Sequence, residues 1–349
     1  MRNLKKTIKQ ILFLLVLITF TFWLIFRKQN FNEIYNIVIN ANVKFVILGI
    51  IAMFLYFTAE AYNLRRIMKA FGEDMSLLKA IKFTLIGFFF SSITPAATGG
   101  QPMEIYYMYK EKYSSTYGMT ALLIQFCCFQ CVTILAGIAG AIIDSSYIQG
   151  NIFYLLLIGI TFNSIALIGT LIFLFSKRLT RFLLNIAIKL LQILRYKKVD
   201  TVKEKLEKAL EKYNDCSDFI KKHKSIFVKS FLVVCFQVLM YYSISYFVYK
   251  SFNLSGVSAF NIITVQALLY STVSSLPLPG AVGVSESAFL KIFANIFGLN
   301  LINSAMILNR GINFYLYVII STIVVIVNIL FMKKGMPKPS FNENMKETD

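Results

Sequence analysis

Histidine is almost missing from this chain: His223 is the one imidazole in 349 residues. Histidine-based zinc sites and Ser–His–Asp triads therefore have little to build on. No G-x-S-x-G, phosphate-binding P-loop or dinucleotide fingerprint occurs either, and neither a cofactor nor a metal site is expected. Cysteine is sparse. Of Cys127, Cys128, Cys131, Cys216 and Cys235, four fall in apolar runs, so a disulfide framework is not expected. Cys128-x-x-Cys131 has a redox spacing but sits within such a run and reads as packing. Acidic residues number 17 against 36 Lys and Arg. Long polar stretches are lacking as well: the longest, 176–225, is too small for an independent catalytic domain.

What is abundant is apolar sequence. Hydrophobic residues make up 57% of the chain and the mean hydropathy is +0.65. The runs Ile11–Phe26, Val43–Tyr62, Thr116–Ile143, Ile152–Phe175, Ile226–Tyr249, Val257–Leu276 and Ser304–Met332 predict about seven membrane-spanning helices. The first ends at Arg27-Lys28 without a small-x-small cleavage site and reads as a retained helix, not a secretory signal. The fold class is thus an all-α polytopic membrane protein. Residues 1–334 form one transmembrane domain, with a basic amphipathic loop at 176–225 and a short tail at 335–349.

The net charge of +19 is placed unevenly. Segments 1–10, 63–82, 110–112, 176–229 and 333–349 hold 30 of the 36 Lys and Arg. If all five are cytoplasmic, the positive-inside rule accounts for the excess, and no nucleic-acid partner is needed. Both termini are then cytoplasmic.

Two apolar stretches break with the same punctuation: Thr94-Pro95-Ala96-Ala97-Thr98-Gly99-Gly100-Gln101-Pro102-Met103-Glu104, and Leu276-Pro277-Leu278-Pro279-Gly280-Ala281-Val282-Gly283-Val284-Ser285-Glu286. In each, a proline opens the break, two glycines follow, and a glutamate stands nine residues after the proline. Proline removes an amide donor and glycine eases unusual backbone angles, so neither stretch is an unbroken helix. Irregular backbone survives at membrane depth only where protein or a wet cavity satisfies it. The charge assignment requires each broken segment to return to the side it came from, the first from inside and the second from outside. Opposed broken elements suit an inverted repeat with a site near the midplane. The alternative is two continuous spans kinked at Pro95 and Pro277.

Ionisable groups within apolar segments are few: Glu60, Glu104, Asp144, Glu286, Lys291 and Arg310. Such groups usually face a cavity or one another. Glu286 and Arg310 are expected to pair, either as a structural ion pair or with Arg310 receiving a phosphate. Glu60, shortly before Arg65 and Arg66, reads as an inner-interface residue, and Asp144 as the outer end of a span. Gly99, Gly100, Gly280 and Gly283 either present amides to an anion or allow close helix packing. Tyr106, Tyr107 and Tyr109 read as interfacial anchors. In the basic loop, Leu179, Phe182, Leu183, Ile186, Leu190, Ile193 and Leu194 predict a helix lying on the inner surface, and Thr201–Tyr213 a solvated one.

The two broken motifs, with Leu308-Asn309-Arg310, resemble the membrane region of the lysylphosphatidylglycerol synthases, also called multiple peptide resistance factors. The resemblance spans the chain from the first apolar run to Lys334. It implies a flippase-like domain of a bacterial plasma membrane that moves aminoacylated phosphatidylglycerol outward and so repels cationic peptides. It also implies that lysyl transfer from lysyl-tRNA belongs to a C-terminal cytosolic acyltransferase domain, which a chain ending at Asp349 lacks. On this reading the partners are the membrane, an anionic phospholipid and a separate lysyltransferase. Glu286 and Arg310 anchor or gate the head group, with Glu104, Gly99, Gly100, Pro95, Pro277, Gly280 and Gly283 around it. The competing readings are a phosphatidylglycerol lysyltransferase and a non-transporting scaffold.

Overall fold

A computed structural model describes residues 31–143, 151–193, 199–274, 281 and 283–335. Helices form where apolar runs are closed by caps. α1 (Phe31–Asn40) leads to α2 (Val43–Ala70), capped by the Asn42 side chain. α3 (Leu77–Ile93) is capped by Ser76 and followed by a 3-10 turn (Pro95–Ala97) and α4 (Gly100–Lys110). Then come α5 (Ser115–Ile143), α6 (Asn151–Phe175), α7 (Lys177–Ile193), α8 (Val199–Lys222) and α9 (Ser225–Ser251). α10 (Ala259–Val273), capped by Ser258, precedes α11 (Val284–Ile292) and the short α12 (Ala294–Phe297). α13 (Ile302–Arg310), a π-helical turn (Gly311–Tyr315) and α14 (Leu316–Gly335) complete the order.

The protein is an all-α polytopic membrane protein. Among the described residues five helices are long and apolar enough to span: Val43–Ala70, Ser115–Ile143, Ile152–Phe175, Ser225–Ser251 and Ile302–Leu330. Of the seven expected, Ile11–Phe26 lies outside the described residues. Val257–Leu276 yields α10, whose 15 residues rise only about 22 Å. That is short of a hydrocarbon core of about 30 Å. It is one arm of a hairpin.

Both breaks are hairpins. α3 runs 17 residues inward, and Thr94 closes it, its hydroxyl donating to the Phe90 carbonyl at 2.6 Å and accepting from Gly99 N–H at 2.9 Å. The orphaned backbone of the break is thereby satisfied within the protein. α4 then returns along α3. Ser91 lies against Gly100, Gly87 against Glu104, and Lys82 pairs with Glu111. In the second hairpin, the start of α10 and the end of α12 meet the same residue. Tyr249 accepts from Val257 N–H at 3.3 Å, and its ring centroid is 5.8 Å from that of Phe297.

The hairpins enter from opposite ends of the bundle because α2 and α9 are antiparallel. Asn42 N–H donates to the Ser251 carbonyl at 2.8 Å at one end, and Arg66 to the Ile226 carbonyl at 3.1 Å at the other. The first hairpin starts and finishes beside the C-terminus of α2, where Arg65 donates to the Met75 carbonyl at 2.9 Å and Ser114 N–H to Glu73 at 3.0 Å. The second does so beside the C-terminus of α9. The two halves are also in register along the chain. Val43 and Ser225 open their spans, Ser76 and Ser258 cap the inward arms, Pro95 and Pro277 follow, then Glu104 and Glu286. Every pair is separated by 182 positions (258 minus 76, for example). An inverted repeat, expected from charge alone, is thus present in the geometry.

The repeats interlock. α10 packs on α5, where Ser271 donates to the Thr133 carbonyl at 3.0 Å and a Cβ on Gly140 would stand 2.7 Å from the Thr264 carbonyl. α3 packs on the last span, Phe88 against Phe314 with ring centroids 6.0 Å apart. At the basic end α7 leaves Phe182, Leu183, Ile186 and Ile193 exposed, as expected of a helix on a membrane surface. Along Thr201–Tyr213, α8 exposes Lys203, Glu204, Glu207, Lys208 and Glu211, as expected of a solvated helix, and from Tyr213 onward it turns inward. Tyr213 is buried and donates to the Phe173 carbonyl at 3.2 Å, and Ile220 joins the core.

Opposed hairpins fix which loops share a face. Single cysteines at Lys112 and Glu207 are expected to react with a membrane-impermeant thiol reagent from one side. Cysteines at Asn253 and Leu299 should react from the other. Labelling of Lys112 and Glu207 from opposite sides would mean that the first break is a kinked span.

Candidate functional site

Glu286 sits in the first turn of α11, where the chain emerges from its break. Gly283 precedes it at φ 88°, a left-handed conformation that disfavours any Cβ. That geometry turns the Gly283 N–H toward the helix, where it donates to Glu286 Oε2 at 2.5 Å. The carboxylate therefore caps its own helix and favours the positive end of the helix dipole. Its other oxygen, Oε1, accepts from Arg310 Nε at 3.0 Å and from the Tyr315 hydroxyl at 3.3 Å. Both partners are buried, Glu286 at 9% and Arg310 at 7% exposure.

Tyr315 reaches the same carboxylate as Arg310 because of the π-helical turn between them. In a regular α-helix, residues five apart diverge around the axis. Widening over Gly311–Tyr315 brings Tyr315 back to the face of Arg310. The guanidinium carbon lies 4.4 Å from the Phe314 ring centroid and 5.8 Å from that of Tyr315. Aromatic faces thus cover the charge that Glu286 leaves uncovered. Beside the pair, a polar chain ties three helices. Asn313 donates to Asn309 at 2.9 Å, Asn309 to Ser245 at 2.8 Å, and Ser245 to Gln266 at 2.7 Å.

Glu104 occupies the matching place in the first repeat. It is buried behind Gly87, where an added Cβ would stand 2.8 Å from Oε2. Its Oε1 makes no hydrogen bond. Glu60 of α2 lies within electrostatic reach. The Glu60 carboxylate accepts from Gln237 at 3.2 Å and its carbonyl from Gln125 at 2.8 Å. Between Glu60 and Arg310, the residues Tyr56, Phe129, Val238, Tyr241, Tyr242 and Tyr270 line a cavity of about 10 Å³. One water molecule is the most it can hold.

The expected pairing of Glu286 with Arg310 is present. Glu104 does not join them; it stands in the opposing hairpin, linked through Phe88 and Phe314. The anion-binding reading of the glycines is not what the geometry shows. Gly99 N–H is already given to Thr94, Gly283 N–H to Glu286, and Gly100 is a packing position whose Cβ would collide with Ser91. Pro95 opens the turn that ends α3 and is exposed. Pro277, Gly280 and Asp144 lie outside the described residues. Lys291 is exposed, and of the three tyrosines Tyr106 and Tyr109 are exposed whereas Tyr107 is buried. Cys127 and Cys128 are buried and unbridged.

Glu60 corrects the sequence reading. Ten residues from the end of α2, it stands about 15 Å inside the basic end, well away from the interface. The sequence singled out neither Gln125, Gln237, Tyr315 nor the tyrosines around the cavity. The glutamines were detectable as amides in apolar runs, Gln237 alone in its run and Gln125 with Gln130 in another; the tyrosines carry no such signal.

The architecture defines a class: a helical membrane protein built as an inverted repeat, with polar side chains gathered where two re-entrant hairpins meet the central spans. Residues 10–321 match the family described as the lysylphosphatidylglycerol synthase TM region, and the chain belongs to that family. A search of curated proteins returned no match.

A buried ion pair with one partner removed leaves an uncompensated charge, which costs about 3–5 kcal/mol. Arg310→Met and Glu286→Gln are each expected to lower the unfolding free energy in detergent by about that amount. The double variant should lose clearly less than the two losses added together. Additive losses would show that the pair contributes nothing as a pair.

Proposed function

We propose that the protein carries a phospholipid with an anionic phosphate and a cationic head group between leaflets of a bacterial plasma membrane. Lysyl-phosphatidylglycerol fits that description, and its outward movement would contribute to resistance against cationic peptides. The observation that carries the reading is the Glu286–Arg310 pair, held at membrane depth where a re-entrant hairpin meets the last span. Charge at that depth is expensive and is retained where it serves a path or a substrate. The basic end of the bundle carries Arg65, Arg66, Lys110, Lys112 and the α7–α8 lysines, which supports a cytoplasmic position for that end by the positive-inside rule. Both chain termini lie on that side in this reading.

The chemistry follows from what the two side chains can exchange. A lipid phosphate offers Arg310 the same paired oxygen acceptors that a carboxylate offers. Taking the phosphate frees Glu286 for the ammonium of the head group, so neither charge is left bare during the exchange. The cavity of about 10 Å³ cannot admit a head group. The structure therefore corresponds to a closed state, and passage requires the hairpins to part from the central spans. Opening of this kind is a rearrangement of broken elements around a fixed site. The basic face formed by α7 and α8 is where anionic lipid and a separate cytosolic lysyltransferase would meet the protein.

Purified protein in proteoliposomes is expected to accelerate leaflet exchange of lysyl-phosphatidylglycerol. Arg310→Ala and Glu286→Gln should each slow it by about tenfold or more, equivalent to about 1.4 kcal/mol in the barrier. Unchanged rates in both variants would remove the pair from the mechanism. Formation of lysyl-phosphatidylglycerol from lysyl-tRNA by this chain alone would favour the transferase reading instead.

A further inference from the structure

The two repeats bring one glutamate each to matching positions, yet they treat its charge differently. Glu286 has Arg310 at 3.0 Å and Tyr315 at 3.3 Å. Glu104 is 4% exposed and its Oε1 has no hydrogen-bond partner. The counterpart of α13 and α14 in the first repeat is α5, which carries no charged residue along its 29 positions. The residue that matches Arg310 is Cys128 (310 minus 182). The charged group that acts on Glu104 is another carboxylate, Glu60 of α2. Near Glu60 stand Gln125 of α5, Gln237 of α9, Tyr56 of α2 and Tyr270 of α10. None of these is a cation. Lys82 of the same hairpin is paired with Glu111 nearer the basic end, and Arg310 reaches only as far as Tyr241 on the opposite side of the cavity.

An ionised carboxylate with neither cation nor donor is costly at this depth. Among the described residues nothing supplies its counter-charge. A metal ion needs several oxygen ligands at fixed geometry, and among the described residues no three His, Cys, Asp or Glu gather in a way that could hold one. A proton needs one oxygen, and Glu104 Oε1 is that oxygen. We propose that Glu104, with Glu60 beside it, is a proton-binding site, its proton standing where Arg310 stands in the other repeat, and that lipid translocation is coupled to release and rebinding of this proton. An ammonium arriving at Glu104 displaces the proton, and its departure lets the proton return. The coupling rests on the translocase reading; the proton site does not.

The two parts are separable by experiment. Dicyclohexylcarbodiimide adds to a carboxyl in its protonated form. Full-length protein in phosphatidylglycerol nanodiscs, treated with it and read by peptide mass spectrometry, is expected to carry the adduct at Glu104 and not at Glu286. Labelling should fall as the pH is raised above neutral and be indifferent to sodium, calcium or magnesium. An unmodified Glu104 at every pH overturns the site, and protection by a metal ion at constant pH overturns it in favour of that ion. In proteoliposomes, imposing or collapsing a transmembrane pH gradient should change the wild-type rate of lysyl-phosphatidylglycerol exchange several-fold. Glu104→Gln, which keeps the shape of the protonated acid, should be insensitive to the gradient. A wild-type rate independent of the gradient overturns the coupling. Labelled Glu104 in a protein that moves no lipid supports the proton site and overturns the translocase reading.

Discussion

At membrane depth no water is at hand to satisfy a backbone amide or a charge, and the structure is arranged around that fact. Each broken hairpin frees amides and carbonyls, and each break supplies its own answer. Thr94 turns its hydroxyl back onto the end of α3 while taking Gly99 N–H. Glu286 bends onto the start of α11 and takes Gly283 N–H. The second answer introduces a carboxylate, which is matched by Arg310, and the widening of the last span over Gly311–Tyr315 brings Tyr315 to the same oxygen. One unsatisfied helix end thus leads to an ion pair, a π turn and an aromatic cover.

The inverted repeat explains why these features lie together. Because α2 and α9 are antiparallel neighbours, matching arms from opposite ends meet partners from the other half: α3 against the last span, α10 against α5. A symmetric scaffold would give two equivalent glutamates. The symmetry fails at one point, the charge on the neighbouring span, and that failure makes the two halves chemically distinct. A permanent cation neutralises Glu286. Glu104 packs against Gly87, and its Oε1 has no hydrogen-bond partner among the described residues.

Much of the architecture was legible in the sequence. Proline, glycine and glutamate at matched spacing marked both breaks, and counting lysine and arginine favoured each break returning to its own side over two kinked spans. Both signals are local or additive, so one chain suffices to read them. The pairing of Glu286 with Arg310 was legible because charges at depth are few and must be matched. The polar cluster around Glu60 was less so. Glu60 is close in sequence to Arg65 and Arg66, which suggested an interface; only the length of α2 shows that the helix continues well past it toward the basic end. The glycines stayed open to two readings for a related reason. Small residues permit both an anion nest and a close helix crossing, and the choice depends on which neighbour arrives, Ser91 at Gly100 for instance. The span count fell short where an apolar run served as a hairpin arm, since hydropathy measures burial and not whether a segment crosses.

The closed cavity bears on how such a protein can be both tight and mobile. The hairpin arms pack along their length, α3 on α4 and the last span and α10 on α5, and polar side-chain contacts near their breaks add to that. At one tip, parting the ion pair with nothing in its place would cost about 3–5 kcal/mol, enough to keep the closed state dominant. A ligand that replaces both partners, phosphate for Glu286 and ammonium for Arg310, removes most of that cost. If the protein carries a lipid as proposed, opening would be favoured when a zwitterionic or cationic head group is present to complete the exchange. An anionic lipid would satisfy Arg310 but leave Glu286 bare. On that reading the pair that stabilises the fold would also select the cargo, because selectivity would be the difference between completing an exchange and completing half of it.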